Sequence, residues 1–489
     1  MPLADDNTKR LYDDILVAIV SYVYEFEVRS DVAWRNAKVA LLDALGCAIE
    51  SLEISEECGL MLGPVWPGSG DVPNGFKLPG TRFQLDPIKG AFDMGAMIRY
   101  LDHNDAFPGS EWGHPSDNLG AILAVADCMS RASSSVPNAT GPRATIQTVL
   151  IAMIKAYEIQ GCFQIKNAFN KVGLDHTILV KIASTTVVSW MLGLTTQQAL
   201  SALSHAWMDG HPLRVYRQSP NAGPRKGWAA GDACMRAVHL ALLARAEQPG
   251  APTVLTQPKW GFYDVMFKGQ SFQLPRPFGT WVMENIIFKV NTAEGHGMTG
   301  VEAALLISQE LRERNLSPEQ DIAHIQVRTQ AAGMTIINKQ GPLHNAADRD
   351  HCMQYMIAVV LLKGTMIVTS DYQNDSEWAN STTVEQLRTK IDMVEDPAFT
   401  NDYHDQDKRK VANALLVTLK DGTKLPEVVV DYPLGHPKRE DTVQAVKQKT
   451  CHNLGLRFSQ GQVDDIIRTT EDREFLDMPV SKFVDMFTQ

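Results

Sequence analysis

The chain has 489 residues, of which 44% are hydrophobic and 21% are charged, so it has the composition of a globular protein and the length of two or three domains. Its formal net charge is -11, which argues against a nucleic-acid partner, because phosphate contacts require a basic surface. No apolar run reaches the length that spans a bilayer, so we expect no membrane partner.

The first half of the chain is predicted to be helical, because apolar residues recur there at intervals of three and four. The predicted helices span residues 11–26, 33–51, 88–101, 119–129, 145–168, 176–192, 196–205 and 227–246. Prolines and glycines interrupt residues 54–86, which are predicted to be a loop with at most a short strand. Residues 131–144 are predicted to be a surface connection.

Strands enter the pattern after residue 284. Residues 285–290 and 322–329 are predicted to be strands, and residues 414–419 and 427–431 are predicted to form a hairpin around Asp421-Gly422. Residues 299–313 and 351–362 are predicted to be helices, and the chain returns to helix near its end. We therefore expect an α+β domain of residues 285–437 on an otherwise helical protein.

A polar loop at residues 99–120 connects two predicted helices. It carries six titratable side chains, namely Asp102, His103, Asp105, Glu111, His114 and Asp117. The step His114-Pro115 predicts extended backbone before the second helix, with Ser116 or Asp117 as its N-cap. His114 would then lie at a helix N-terminus, which favours anions.

Two other interpretations of this loop remain open. Acidic loops are often only solvated, and a single histidine is often structural. Asp102, His103, Asp105 and His114 are also possible metal ligands, but their spacing matches no known zinc or calcium pattern, so we do not expect a metal.

Three further groups carry candidate functional residues. His176 lies at the start of a predicted helix, as His114 does. Four cations lie among prolines and glycines and suit a carboxylate or phosphate clamp, although a solvated basic loop would look the same; they are Arg214, Arg217, Arg225 and Lys226. Four polar residues lie near the start of helix 351–362, where an ordinary capped helix is the alternative; they are Asp348, Arg349, His351 and Tyr355.

Acid or base residues beside cations suit a small substrate with several carboxylates. Removing a proton next to a carboxylate develops extra negative charge, which clustered cations stabilise. The sequence has neither a Walker loop nor a G-x-G-x-x-G after a strand, and it has no G-x-S-x-G motif. Phosphate chemistry and nucleophilic hydrolysis are therefore less attractive.

The cysteines and the first residues bear on the cellular compartment. The seven cysteines are odd in number, scattered and without a C-x-x-C pair, which indicates free thiols in a reducing compartment. The first residues are acidic, whereas a mitochondrial presequence is basic and Ser-rich. We therefore expect a cytoplasmic protein.

Six segments together resemble the MmgE/PrpD family, over nearly the whole chain. They are Asp102 to Asp105, Glu111 to Asn118, Gly173 to His176, Arg225 to Asp232, Trp260 to Val265 and Ala347 to Cys352. The resemblance is strongest to the family's dehydratases that act on 2-methylcitrate. The family also includes cis-aconitate decarboxylases.

The resemblance implies a mainly α fold. A large all-helical domain would comprise residues 1–284 and be completed by residues 438–489, and a smaller α+β lid domain would comprise residues 285–437. It also implies a homodimer that needs neither an iron-sulfur cluster nor another cofactor.

The resemblance further implies a hydro-lyase. The expected reaction dehydrates 2-methylcitrate, or a longer 2-alkylcitrate, to the corresponding 2-alkyl-cis-aconitate by acid/base elimination. The alternatives are a cis-aconitate-type decarboxylase and a catalytically silent carboxylate-binding protein. The silent protein is disfavoured, because such a protein would be expected to have lost one of the family's site residues.

The resemblance places the active site in a cleft between the helical domain and the lid. The implied catalytic residues are Asp102, His114, His176, Lys226 and Tyr355. Implied substrate contacts are Lys289, Arg214, Arg217, Arg225, His296 and Arg349. The cations would hold the tricarboxylate, His114 oriented by Asp102 would be general base or acid, and Tyr355 or His176 would serve the opposite proton transfer.

The chain departs from its dehydratase relatives at two places beside this cleft. Ala106 stands where those relatives have Thr, and residues 290–297 form a shorter, Gly-rich link. Both changes could enlarge the pocket for an alkyl group longer than methyl, so we count Ala106 among the substrate-binding residues, while methyl and longer alkyl groups both stay open. A role in propionate catabolism would instead suit mitochondria.

Overall fold

The computed structural model describes residues 10–132, 141–218 and 220–488, and helices dominate this part of the chain. The helices before residue 285 are α1 (Asp14–Glu25), α2 (Asp31–Ile54), α3 (Glu56–Gly59), α4 (Pro87–Arg99), α5 (Leu119–Ala132), α6 (Ile146–Lys166), α7 (Thr177–Met191), α8 (Thr196–Met208), α9 (Arg225–Arg245), α10 (Phe262–Met266) and α11 (Trp281–Glu284). Strands β1 (Phe76–Lys77) and β2 (Gln84–Leu85) form a small antiparallel pair. The helices predicted in this half from apolar spacing are confirmed, with small shifts at their ends.

Helix α4 leads directly into the polar loop. It begins at Pro87 because the Asp86 carboxylate accepts hydrogen bonds from two amides of the first turn. The face of α4 that carries small residues packs on α9, where a Cβ on Gly95 would lie 2.9 Å from the Cα of Gly231. Only a residue without a side chain permits this approach. The contact fixes the end of α4, and with it the start of the loop.

A second hydrophobic core is formed by residues between 287 and 425. The helices of this part of the chain are α12 (Met298–Glu313), α13 (Pro318–Asp321), α14 (Ala331–Ile336), α15 (Ala346–Arg349), α16 (Met353–Lys363), α17 (Thr382–Arg388) and α18 (Pro397–His404). Its strands are β3 (Ile322–Thr329), β4 (Ile391–Glu395), β5 (Asn413–Leu419) and β6 (Val428–Val430), in the sheet order β4-β3-β5-β6. The pair β3 and β4 is parallel, and the other two pairs are antiparallel.

The central strand β3 pairs on both sides. Its Ile325 lies opposite Ile391 of β4 and opposite Val417 of β5. The predicted hairpin of β5 and β6 is confirmed, and Gly422 in its turn has the positive φ, +87°, that glycine adopts without strain.

The C-terminal helices α19 (Thr442–Gly455), α20 (Gln460–Glu471) and α21 (Val480–Asp485) rejoin the first core. Helix α19 packs along α2. Two cores, one of them built mainly from helices with the short pair β1 and β2 and the other α+β, confirm the predicted mainly α fold class. The domain boundaries at residues 284/285 and 437/438 remain a prediction.

The structure corrects the local prediction near residue 285. The predicted strand 285–290 is wrong: Ile287 makes only an isolated bridge with Ala106. The apolar residues there are buried by packing, since Ile286 and Phe288 enter the first core and Ile287 enters the second. Strand β4 gave no clear signal, because it is a five-residue edge strand.

Two expectations concern the rest of the chain. Of the predicted connection 131–144, residues 133–140 lie outside the described residues. Among the described residues, none of the helices combines the length and apolar character needed to cross a membrane.

Candidate active site

Asp102 follows α4 and is the centre of a cluster of cations. Its backbone is left-handed, with φ +55°, which is costly for a residue with a side chain. Its carboxylate accepts hydrogen bonds from Arg99 and, at 2.9 Å, from the ammonium of Lys289. Burial would raise the pKa of Asp102, but Arg99 and Lys289 outweigh burial and hold this pKa well below its usual range. Asp102 is therefore an anion that organises two cations.

His114 is held by two partners, and neither is Asp102. Its Nδ1 lies 2.7 Å from the carbonyl oxygen of Asp105, and its Nε2 lies 2.9 Å from Nη2 of Arg99. Asp102 Oδ1 is 3.8 Å from Nε2, beyond hydrogen-bond distance, so the expectation that Asp102 orients His114 is wrong. We assign the proton to Nδ1, which leaves the Nε2 lone pair facing Arg99. Burial and then Arg99 hold the pKa of His114 well below its usual value.

The turn after His114 is capped from across the loop. Residues Pro115–Asn118 form a short 3₁₀ helix ahead of α5. The amide of Ser116 and its hydroxyl donate to Asp105 Oδ1, at 3.0 and 2.7 Å. The cap is therefore Asp105, and the prediction of Ser116 or Asp117 as N-cap is wrong.

His176 lies beside His114, with its ring centroid 5.7 Å away. Its Nε2 is buried and has no hydrogen-bond partner among the described residues, and its Nδ1 is 3.7 Å from Asp175 Oδ1. Burial holds the pKa of His176 well below its usual value, although Asp175 opposes the shift. Two uncharged imidazoles are therefore adjacent, and one of them has a free nitrogen.

Lys226 connects the helical part to the lid. Its ammonium binds the carboxylate of Asp350 at 2.7 Å and lies 3.3 Å from His351 Nδ1. Burial lowers the pKa of Lys226, while Asp350 opposes the shift. A small cleft of about 90 Å³ opens here between the two parts, and its walls include Tyr100, Lys226, Asp350, Thr369 and Tyr372.

The basic loop places its arginines on acidic residues near His176. Arg217 binds Asp175 through Nε at 2.5 Å and Nη2 at 3.1 Å, and Arg214 lies 3.4 Å from Glu111. Arg225 stacks on the ring of Trp228, 4.2 Å from its centroid. Arg217 stands closest to the site, because it packs against the carboxylate next to His176.

Three predicted residues of the lid are engaged elsewhere in this structure. The Tyr355 hydroxyl donates to the carbonyl of Asp371 at 2.8 Å, behind the cleft wall. Arg349 donates to the carbonyl of Tyr372 at 2.6 Å. His296 lies between Glu294 and the hydroxyl of Tyr403, which is 3.2 Å from its Nε2. Their roles in binding or catalysis stay predictions.

Ala106 and Gly295, which represent the two places where the chain departs from its dehydratase relatives, are buried. Ala106 is fully buried and exchanges backbone hydrogen bonds with Ile287, at 2.8 and 3.0 Å. In the Gly-rich link, a Cβ on Gly295 would lie 2.2 Å from a ring carbon of Trp112. That glycine makes room for an indole, so the expected enlargement of the pocket does not follow from Gly295.

The sequence did not point to Arg99, Asp350, Thr369 or Tyr372 as site residues. Arg99 was the detectable one, because it precedes Asp102 by three residues at a helix end, where side chains at this spacing meet. The cleft position of Asp350 depends on the packing of the lid on the helical part, which no local pattern records.

A metal ion has few free ligands in this site. Side-chain ligand atoms of Asp102, Asp350 and His351 lie within 4.8 Å of one another. Both carboxylates already bind ammonium groups, of Lys289 and Lys226 respectively. His103, a ligand in the metal interpretation of the loop, instead binds Glu50 at 2.7 Å. The cluster therefore has the character of an ion-pair network.

Comparison with known proteins matches nearly the whole chain. The model of the MmgE/PrpD N-terminal domain matches residues 17–275, and that of the MmgE/PrpD C-terminal domain matches residues 292–473. The second match overlaps the lid and part of the C-terminal helices.

Three relatives align over almost their full length. The 2-methylcitrate dehydratase-like protein oryR of Aspergillus oryzae is 61% identical, over 100% of this chain and 98% of that protein. The alkylcitrate dehydratase phiI of a fungal species is 49% identical, over 98% and 94%. The 2-methylcitrate dehydratase of Escherichia coli K12 is 49% identical, over 99% of both chains.

Proposed function

This chain belongs to the MmgE/PrpD family, as its motifs predicted, and from that premise we propose that it is a carbon-oxygen lyase that dehydrates a 2-alkylcitrate. The substrate is 2-methylcitrate or a homologue with a longer alkyl group, and the product is the corresponding 2-alkyl-cis-aconitate. The names of the three relatives support this reaction class.

One observation carries the proposal: two buried imidazoles, whose pKa values burial holds well below the usual value, lie beside a group of buried cations. The rings of His114 and His176 are 5.7 Å apart. Arg99 and Lys289 meet at Asp102, and Lys226 stands at the cleft. A tricarboxylate needs cations to replace its hydration, and elimination needs a neutral base. The cluster supplies both.

The reaction requires two proton transfers. One imidazole takes the proton from C2, and the electron pair of that C–H bond becomes the double bond to C3. The C3–O bond breaks, and the hydroxide leaves as water with a proton from the same cluster. The negative charge that develops on the carboxylate next to C2 is stabilised by Lys226, Lys289 and Arg99, which are held in place before the reaction.

The two candidate proton acceptors are the free Nε2 of His176 and the Nε2 of His114, whose lone pair Arg99 must first release. We propose that one of these nitrogens takes the C2 proton and that the imidazolium so formed gives a proton to the leaving hydroxide, which returns the ring to its uncharged form. Tyr355 would take part only after its hydroxyl leaves the carbonyl of Asp371, and Arg349 and His296 would bind carboxylates only after a similar rearrangement.

The preferred length of the substrate's alkyl group is tested by comparing two substrates. Purified enzyme is incubated with synthetic 2-methylcitrate and with its 2-hexyl homologue, and the conjugated alkene is followed by ultraviolet absorbance. We expect turnover of both and a higher kcat/KM for the hexyl compound. The variant Ala106→Thr should lower the hexyl-to-methyl ratio of kcat/KM. A ratio that does not change would remove Ala106 from the substrate-binding residues.

The decarboxylase alternative is tested by trapping carbon dioxide in the same incubation and in a parallel one with cis-aconitate as the substrate. Dehydration releases water and no carbon dioxide, so trapped carbon dioxide should stay at the level of the enzyme-free control. Carbon dioxide released from cis-aconitate in step with its consumption would favour the decarboxylase. Binding of the citrates without any product would favour the catalytically silent protein.

We also propose a cytoplasmic homodimer, on the family resemblance and on the free cysteines, which suit a reducing compartment. Size-exclusion chromatography with light-scattering detection should give a molar mass twice the chain mass of 54.1 kDa. A monomer would contradict the dimer and would leave the proposed reaction standing.

A further inference from the structure

A buried carboxylate below the polar loop connects three parts of the protein. Glu50 lies on α2 and is 5% exposed. One of its oxygens accepts from His103 Nδ1 at 2.7 Å and from the Asn453 amide of α19 at 3.0 Å. The other accepts from the hydroxyl of Thr369 at 2.8 Å. Loop, C-terminal helix and lid therefore meet on one side chain.

His103 carries this connection to the segment that bears Lys289. Its Nε2 is 3.2 Å from the carbonyl oxygen of Val290. Both ring nitrogens thus face oxygen acceptors, and a donor on each satisfies both contacts. His103 follows Asp102 directly, and Val290 follows Lys289. The ring therefore joins the backbones of the two residues whose side chains form the central ion pair.

Lys449 joins the same two backbones from the other side. Its ammonium donates to the carbonyl oxygens of His103 at 2.7 Å and of Lys289 at 2.8 Å, and it pairs with Asp43 at 2.8 Å. The left-handed conformation of Asp102 is costly, and it persists only where the surroundings fix it. These contacts are the surroundings that fix it.

We propose that Glu50 and His103 form a positioning pair that sets Asp102 against Lys289 and connects this ion pair to the lid through Thr369. Glu50 and His103 do not line the cleft, whereas Thr369 lies in its wall. This inference rests on the proposed function for its kinetic consequences, and on the structure alone for its conformational ones.

The test removes the two donors of His103 and keeps a flat ring. In His103→Phe we expect kcat to fall 10- to 100-fold while KM changes less than threefold, because binding groups remain and the alignment of Asp102 and Lys289 is lost. His103→Gln, which keeps a donor, should recover part of the loss.

Thr369→Val tests the connection to the lid. Alone it should lower kcat 3- to 10-fold, and in His103→Phe it should lower kcat no further, because both residues act through Glu50. His211→Phe is the matched control: it removes a half-buried histidine that bonds the carbonyl of Trp207 at 2.8 Å, and its kcat should not change.

Hydrogen exchange separates this inference from the proposed function. The amides of Ala106 and Ile287, which pair across the two segments, should exchange at least tenfold faster in His103→Phe than in the wild type. That readout holds even if the wild type dehydrates no citrate. Normal kcat and normal exchange in both His103→Phe and Thr369→Val, with only a lowered Tm, would overturn the positioning role.

Discussion

Arg99 Nη2 lies 2.9 Å from His114 Nε2, while Nη1 of the same guanidinium binds Asp102. One planar group therefore joins the central anion to a candidate base. It also contributes to the low pKa of His114, since a neighbouring cation disfavours a second positive charge.

Arg99→Lys should therefore be far from conservative. A lysine is a point charge that cannot bond two partners in the fork geometry of arginine. We expect kcat to fall 10- to 100-fold in the alkene assay. The control is Arg131→Lys, which removes a similar fork between Asp127 (2.9 Å) and Asp485 (2.8 Å) away from the site. An equal fall in kcat in Arg99→Lys and Arg131→Lys would show that Arg99 only stabilises the fold.

The pH dependence follows from the low pKa values of His114 and His176. Both imidazoles stay neutral in the folded protein below the usual histidine pKa of about 6.5. We expect kcat/KM to stay flat from pH 8 to pH 6 and its acidic limb to lie below 6. A limb centred at about 6.5 would mean that the base is a solvated histidine.

The lowered pKa values of His114 and His176 also affect the free energy of unfolding. The unfolded chain binds protons on these two histidines below about pH 6.5, and the folded chain does not. Their contribution is therefore fully present above that pH and is lost as the pH falls towards the folded pKa values. Buried carboxyls with raised pKa values, such as Glu111 and Asp117 at about 7, act in the opposite direction, so the histidine contribution is isolated by comparing variants. In urea unfolding, the unfolding free energy of His114→Gln should fall less between pH 7 and pH 5 than that of the wild type.

Chelation tests the metal interpretation. Because Asp102 and Asp350 already bind Lys289 and Lys226, we expect dialysis against EDTA to leave kcat unchanged. A loss of activity that one divalent ion restores would make Asp102, Asp350 and His351 metal ligands. Metal analysis of the dialysed protein is the control that the ion was removed.

The sequence predicted most of the fold, because apolar spacing determines which helix faces are buried. Helices α4 and α5 were located to within three residues at each end, and the loop between them was identified as polar. The prediction of a strand at residues 285–290 was wrong because the apolar residues of this segment divide between two cores. The spacing of apolar residues alone does not distinguish such a segment from a strand paired in a sheet.

The site was predictable in its residue types and less so in its connections. The motifs indicated Asp102, His114, His176, Lys226 and Lys289, and the structure brings these near one another. The partner of His114 is Arg99 together with a backbone carbonyl, and side-chain motifs carry no record of a backbone acceptor. The positions of Asp350 and Thr369 depend on contacts between the two domains, and these contacts join residues that are far apart in the sequence.

The measurement that tests the account most directly is the turnover of 2-methylcitrate by His114→Gln. Loss of a general acid or base costs about 10²- to 10⁴-fold in rate, so kcat should fall by that factor while the circular dichroism spectrum stays unchanged. His324→Gln, which changes an exposed histidine paired with Asp392 at 3.0 Å, should keep the wild-type kcat. A kcat of His114→Gln within threefold of the wild type would contradict the account.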